Sequence, residues 1–232
     1  MKRRNSVPIS RFVDCGGGSA IEALMPHLGP SQPSVAGRWA LLSSFAALLL
    51  AASLMLSGCQ KKLEPLPSLG HVGTFSLLDQ RGAPLGADNL RGKVWVAAFF
   101  FTRCPSICPR ITRRMRALQI SANSAAPGVS FVSFSVDPDN DTPPVLLAYA
   151  QRFGADPRNW SFLTGDLEVV KRTVVEGFKL ALDGKADPAA ENGGIIHGSH
   201  LVLVDKTLTI RGYYRSDDDD DMKRILEDAA RL

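Results

Sequence analysis

The sequence predicts an α/β fold: a central mixed sheet flanked by helices, with a hairpin added at its N-terminal side. Three observations point there. Val94 to Phe101 is a short run of β-branched and aromatic residues, the pattern of a buried strand. It leads into Cys104-Pro105-Ser106-Ile107-Cys108-Pro109 and then into a segment with apolar residues at helical spacing. Further short apolar runs alternate with helical patterns, and the chain closes on two paired strands and a last helix.

Ahead of this region lies a leader. Trp39 to Leu56 is uncharged and apolar and ends in Leu56-Ser57-Gly58-Cys59, with basic residues upstream. Such an arrangement reads as a secretory signal. Its last four residues resemble the bacterial lipobox, whose cysteine becomes the lipid-modified first residue. Gln60 follows, where lipoproteins retained at the inner membrane have Asp. An uncleaved anchor is the competing reading, since 18 apolar residues nearly span a bilayer. Under either reading the domain stands outside the cytoplasm, in a bacterial cell envelope. Met25 offers a start with a more ordinary leader, in which case Cys15 is not part of the protein and His27 is discarded with the signal. The expected organisation is 1–58 leader and lipoprotein signal, 59–70 a proline-containing tether, and 71–232 one domain. With Cys59 lipidated, Cys104 and Cys108 are the remaining pair.

Composition bounds the function. At 45% hydrophobic and 22% charged, the chain can build one full core. The first 58 residues hold five Lys/Arg and two Asp/Glu, which leaves 22 basic against 21 acidic residues beyond them, net +1. Nothing in that balance suggests a nucleic-acid partner.

In order, Phe75 to Leu85 reads as a hairpin with an Arg81-Gly82 turn, and the strand ending at Phe101 follows. A helix from Pro109 to about Ser121 carries Ile111, Met115 and Leu118 on one stripe, with Arg110, Arg113, Arg114 and Arg116 mostly elsewhere on its surface. Those arginines are either a solvated face or a docking surface for an acidic partner. Val129 to Val136 is a second strand, followed by a turn-rich Asp-Pro loop and a helix from Pro143 to Phe153 with Thr142 as N-cap. Trp160 to Gly165 is a short strand, a helix runs from Asp166 to about Phe178, and Asp183 to Gly194 is a loop. Leu201–Asp205 and Leu208–Tyr214 pair around a tight turn, and Ser216 caps the last helix. The acidic run Asp217 to Asp221 complements that helix's dipole and is not read as a hard-metal site.

The chemistry centres on the cysteine loop. Residues before proline avoid the α region, so Cys104 and Cys108 are both expected outside the helix, with Pro109 as its first residue. Helix N-termini carry roughly +0.5 charge and favour thiolates, with Arg103 and Arg110 flanking the pair. Such a pair can close a disulfide or hold a soft ion such as Cu(I). Two inert or merely structural cysteines are the plainer alternative.

Strand, Cys-loop, helix, strand, helix, then a hairpin and a helix is a thioredoxin-like order. The chain more closely resembles the SCO/SenC family of copper-binding assembly factors for cytochrome c oxidase. The likeness rests on Phe101-Thr102-Arg103-Cys104 through Cys108-Pro109, on Ser135 through Pro143, on Trp160 to Gly165, and on His197 with Val202 to Asp205. It implies a copper site, for Cu(I) or Cu(II), of Cys104, Cys108 and His197, a redox-active Cys104–Cys108 disulfide, and supporting carboxylates at Asp137 and Asp141. Of His197 and His200, the former stands eight residues before Asp205, the family's spacing. The implied partner is the copper-site subunit of the oxidase or another exported copper protein. Two positions depart from the family's habit: Gly198 directly follows His197, and the turn Lys206-Thr207-Leu208-Thr209 lacks a glycine. A thiol–disulfide reductase is the alternative function, since it needs the cysteines but not the histidine. A peroxidase or a zinc protein fits the residues less well; two Cys and one His fall one ligand short of a structural zinc site.

Overall fold

A computed structural model describes residues 64–184, 195–197 and 199–232. The readings on Cys15, Met25, His27, the apolar segment to Leu56, the lipobox Cys59 and the start of the tether lie outside the described residues.

Nine strands and five helices occur among the described residues. Strands β3 (Trp95–Phe100), β4 (Ser130–Ser135), β5 (Trp160–Leu163), β8 (His200–Val204) and β9 (Ile210–Arg215) form one sheet in the order β5-β4-β3-β8-β9. β4 pairs with β3 and β5 in parallel, while β8 runs antiparallel to β3 and to β9, so the sheet is mixed. Helices α1 (Ala87–Leu90), α2 (Ile107–Ala125), α3 (Pro143–Arg152), α4 (Leu167–Arg172) and α5 (Asp219–Ala229) flank it. The fold is thioredoxin-like, with an N-terminal hairpin of β1 (Ser76–Leu78) and β2 (Pro84–Gly86). That hairpin's turn is held by the Asp79 carboxylate, which accepts from the N–H groups of Arg81 and Ala83. Gly82 supplies the positive φ of 81° that the turn requires.

β3 lies at the centre and is buried along its whole length. Its side chains alternate, so each face anchors a different aromatic cluster. Phe99 packs against Phe134 and Phe178 at centroid distances of 5.6 and 4.9 Å. On the opposite face Phe100 meets Tyr149 of α3 and Phe162 at 5.1 and 5.6 Å. Phe178 closes a π-helical turn, Thr173–Gly177, which continues α4 and ends the helix expected from Asp166. Asp166 caps α4 by accepting from Glu168 and Val169 N–H groups.

Most expected elements occur, with shifted ends. α2 begins at Ile107, before the expected Pro109, and runs on to Ala125. The last helix is capped by Asp218, whose carboxylate accepts from Asp220 and Asp221 N–H groups, while Ser216 is buried upstream. Asp183 and Gly184, expected in a loop, belong to β6 (Leu182–Gly184), which pairs with β7 (Ile195–His197) in a separate two-stranded ribbon. Residues at the end of the expected tether hydrogen-bond to the sheet: Leu69 N–H donates to the Ile210 carbonyl at 2.9 Å, and Ile210 N–H to that of Gly70 at 2.8 Å.

The glycine-free turn has its own solution. Between β8 and β9, Leu208 adopts φ 66°, the left-handed conformation suited to closing a short hairpin loop, and its N–H donates to the Asp205 carbonyl at 3.0 Å. Its side chain is buried at 1% exposure, and the Asp205 carboxylate braces the loop by accepting from Thr207 and Thr209 N–H groups. Left-handed backbone costs a non-glycine residue about 1–2 kcal/mol, whereas deleting a buried Leu side chain costs about 2–5 kcal/mol. Burial outweighs strain. Leu208→Gly is therefore expected to lower the urea midpoint, with a net loss of about 1–3 kcal/mol, although it supplies the residue the backbone prefers. An unchanged or raised midpoint would show that strain dominates.

Candidate thiol and metal site

The cysteine loop leaves the end of β3 and is held from below by two carboxylates. Asp141 is fully buried and accepts from the backbone N–H of Thr102 at 3.0 Å, from the Thr102 hydroxyl, and from the Ser135 hydroxyl at 2.5 Å. Burial pushes its carboxyl above the usual range, with the hydrogen bonds from Ser135 and Thr102 opposing. Asp137 receives the Arg103 guanidinium at 3.0 Å and the Asn140 amide at 2.8 Å, and its own N–H donates to the Ser135 hydroxyl at 3.1 Å. Thr102 and Arg103, the residues just before Cys104, are thus tied to the loop that follows β4.

Cys104 and Cys108 are not joined in a disulfide, and both are buried, Cys104 at 4% exposure and Cys108 at 0%. Cys108 lies in the first turn of α2, not outside it. The sulfur at the helix end is that of Cys104, which accepts the Cys108 N–H at 3.4 Å. Burial alone would hinder ionisation of Cys104. Hydrogen bonds from the Cys108 N–H, the Cys108 thiol and the Ser106 and Ile107 N–H groups outweigh it, and the thiol falls below its ordinary range. Those are the N–H groups that a helix's first turn leaves without partners. Cys108 moves the opposite way: burial drives it far upward, and neighbouring Cys104 and Asp141 add to the shift against the Phe101 backbone hydrogen bond. The pair therefore divides into an ionisable sulfur and a protonated one.

The arginines contribute less to this than the sequence suggests. Arg103 is engaged by Asp137, and the Cys104 shift has its cause in backbone N–H groups. A second chain of hydrogen bonds supports Cys108 from behind: Tyr149 meets the Thr112 hydroxyl at 3.0 Å, which donates to the Cys108 carbonyl at 2.9 Å. Thr102, Ser135, Thr112 and Tyr149 had no role assigned from sequence. Ser135, the polar residue that ends β4 just before the Asp-Pro loop, was the available signal.

The register of the ribbon pairs His197 of β7 with Leu182 of β6. Leu182 and Gly184 border a cleft of about 290 Å³ together with Arg103, Asp137 and Asn140. The ribbon's backbone therefore runs beside the loop that holds Arg103. The ligand role expected of His197 concerns a side chain outside the described residues. His200 opens β8, opposite Arg215, and is half-buried. Among the described residues, no three His, Cys, Asp or Glu side chains gather as a metal-binding group, and no helix is long and apolar enough to cross a membrane.

Comparison with known proteins places these features among relatives. The family described as SCO1/SenC matches residues 65–232. A SCO1/SenC family lipoprotein from Bacillus anthracis is 38% identical and superposes with a TM-score of 0.65, over 71% of this chain and 96% of its own. BsSco, described as a member of the Sco family of cytochrome c oxidase assembly proteins with a disulfide switch, is 30% identical with a TM-score of 0.63, over 74% of this chain and 99% of its own. Yeast Sco1, solved with copper bound, is 27% identical with a TM-score of 0.56, over 69% and 88%.

The unequal thiols make a pH-dependent prediction. Iodoacetamide alkylation of the reduced native protein, followed residue by residue with mass spectrometry, should modify Cys104 first. Its rate should rise with pH as thiolate forms, at a midpoint below the roughly 8.5 of an ordinary thiol. Cys108 should stay unmodified through that range. Equal labelling, or both midpoints at or above about 8.5, would contradict the division of roles.

Proposed function

The chain belongs to the SCO1/SenC family, and from that premise we propose that it binds copper through Cys104, Cys108 and His197 and supports assembly of the copper centre of cytochrome c oxidase. We also propose the organisation in which 1–58 is a lipoprotein signal, 59–70 a tether from lipidated Cys59, and 71–232 the copper-binding domain in the cell envelope. The observation that carries the function is the sulfur pair at the start of α2, with Cys104 cradled by helix N–H groups and Cys108 directly behind it. Thiolates suit Cu(I), and an added imidazole extends the set to Cu(II). Copper in the yeast relative and oxidase assembly in BsSco support the same reading. The lipoprotein relative from Bacillus anthracis supports the anchor.

One observation favours a second reading. An ionisable Cys104 beside a protonated Cys108 is also what a thiol–disulfide reductase needs, since an attacking thiolate and a resolving thiol do different work. The BsSco disulfide switch points to chemistry of this kind in a relative.

His197→Ala separates the two. For a copper carrier, Cu(II) binding should weaken sharply and Cu(I) binding less, because two thiolates hold the softer ion. Disulfide closure between Cys104 and Cys108 should persist, and His200→Ala should change none of these. Oxidase assembly in cells should fall with His197→Ala. Normal assembly in that variant, together with its loss in Cys104→Ala, would replace copper delivery with thiol reduction.

Cys59→Ser tests the anchor independently. Mass spectrometry should find it without lipid, either unprocessed or released after cleavage elsewhere. Recovery of normally lipid-modified protein from this variant would sink the lipobox.

A further inference from the structure

Resting on the exchange reading above, we propose that the face of α2 carrying Arg110, Arg113 and Arg114 is the docking surface for a carboxylate-rich segment of the protein that trades metal or thiols with Cys104 and Cys108. These arginines stand at spacings of three and one, on one side of the helix. With Ile107 and the turn at Ser216 and Asp217, they line a cleft of about 250 Å³. Ile107 is the first residue of α2 and lies between the cysteines, so the cleft opens at the cysteine loop itself.

Charge decides what can sit there. The carboxylate that lines the cleft, Asp217, pairs with Arg215 at 3.2 Å and also interacts with Arg110, and Asp219 nearby pairs with Arg114 at 2.6 Å. Arg113 lies over the Phe153 ring at 5.9 Å, and among the described residues neither it nor Arg110 forms an ion pair. Beyond the first 58 residues the chain is nearly neutral, so this basicity is local.

Geometry makes the cleft hard for a partner to avoid. Cys104 is only 4% exposed, so an exchanging group must come down closely onto the loop. A typical partner covers about 800 Å², a patch roughly 15 Å in radius when centred there. Arg113 stands about 9 Å along the helix from Ile107, at the 1.5 Å rise of an α-helix. A partner that reaches the sulfur therefore covers the arginines too. Covering the Arg110 and Arg113 guanidinium groups, which have no carboxylate within ion-pair distance among the described residues, with a neutral or basic surface strips their water without return. An acidic segment pairs them.

The test uses the full chain in neutral detergent, reduced, with two cysteine peptides activated as mixed disulfides of thionitrobenzoate. One peptide flanks its cysteine with Asp and Glu, the other with Asn and Gln. The Cys104 thiolate attacks the peptide sulfur, forms a Cys104–peptide disulfide and expels thionitrobenzoate, which keeps the electron pair and is read by its absorbance. Taking the ratio of the two rates cancels any change in the thiol's own reactivity. At low salt the acidic peptide should react about tenfold faster, within the range of electrostatic steering, and the ratio should approach one at high salt. Arg110→Glu/Arg113→Glu should bring the ratio below one, and Arg110→Lys/Arg113→Lys should preserve it. A ratio near one in the wild type at low salt, or an unchanged ratio in the Glu variant, would overturn the proposal. Copper stoichiometry measured in parallel separates the two claims. Wild-type protein that binds no copper but keeps the tenfold ratio removes the metal reading and leaves the docking face standing. Intact copper binding with a flat ratio does the reverse.

Discussion

One buried carboxylate sets the position of everything chemical in this domain. Asp141 gathers the Thr102 backbone, the Thr102 hydroxyl and the Ser135 hydroxyl around itself, and so welds the end of β4 to the start of the cysteine loop. Its carboxyl is pushed upward, which means that desolvation outweighs the hydrogen bonds it receives. A group of that kind is a poor source of net stability. What it secures is geometry. Without it, three donors would lose their acceptor, at about 1–3 kcal/mol for each one left buried and orphaned.

Above that anchor the helix N-terminus does the electrostatic work. The reading from sequence put the favourable end of the dipole at Cys108, because both cysteines precede prolines. That rule is a steric tendency of one residue, and here it yields to hydrogen bonding. Starting the helix at Ile107 releases N–H groups that find an acceptor in the Cys104 sulfur. Proline at the third helical position loses nothing, because its missing N–H falls where no partner is available.

Much of the sheet and of α2 was legible because burial leaves local marks: the run into Phe101, the alternation up to Val136, and the helical stripe of Ile111, Met115 and Leu118, which are buried. The features that were not legible depend on distant partners. Arg103 looks like a free charge beside the cysteines until Asp137, 34 residues on, is found to hold it. Leu182-Asp183-Gly184 has no strand pattern of its own and becomes a strand only through its pairing with β7. Leu208 resembles a misplaced core residue in a turn; its backbone strain is offset by the core it reaches. Of the expected site, the two cysteines stood out in the sequence and the family resemblance pointed to Asp137 and Asp141, which hold Thr102 and Arg103, whereas the inequality of the two thiols left no mark in the sequence.

The ribbon of β6 and β7 forms no part of the five-stranded sheet. Two strands by themselves are marginal in water, and small units of this kind open at free energies well below that of the whole fold. With the ligands proposed above, an ion would bridge the body of the sheet and this ribbon, which would supply the imidazole at an effective concentration set by the ribbon's closure. Retention of the ion would then depend on one short two-stranded pairing as well as on the donor atoms.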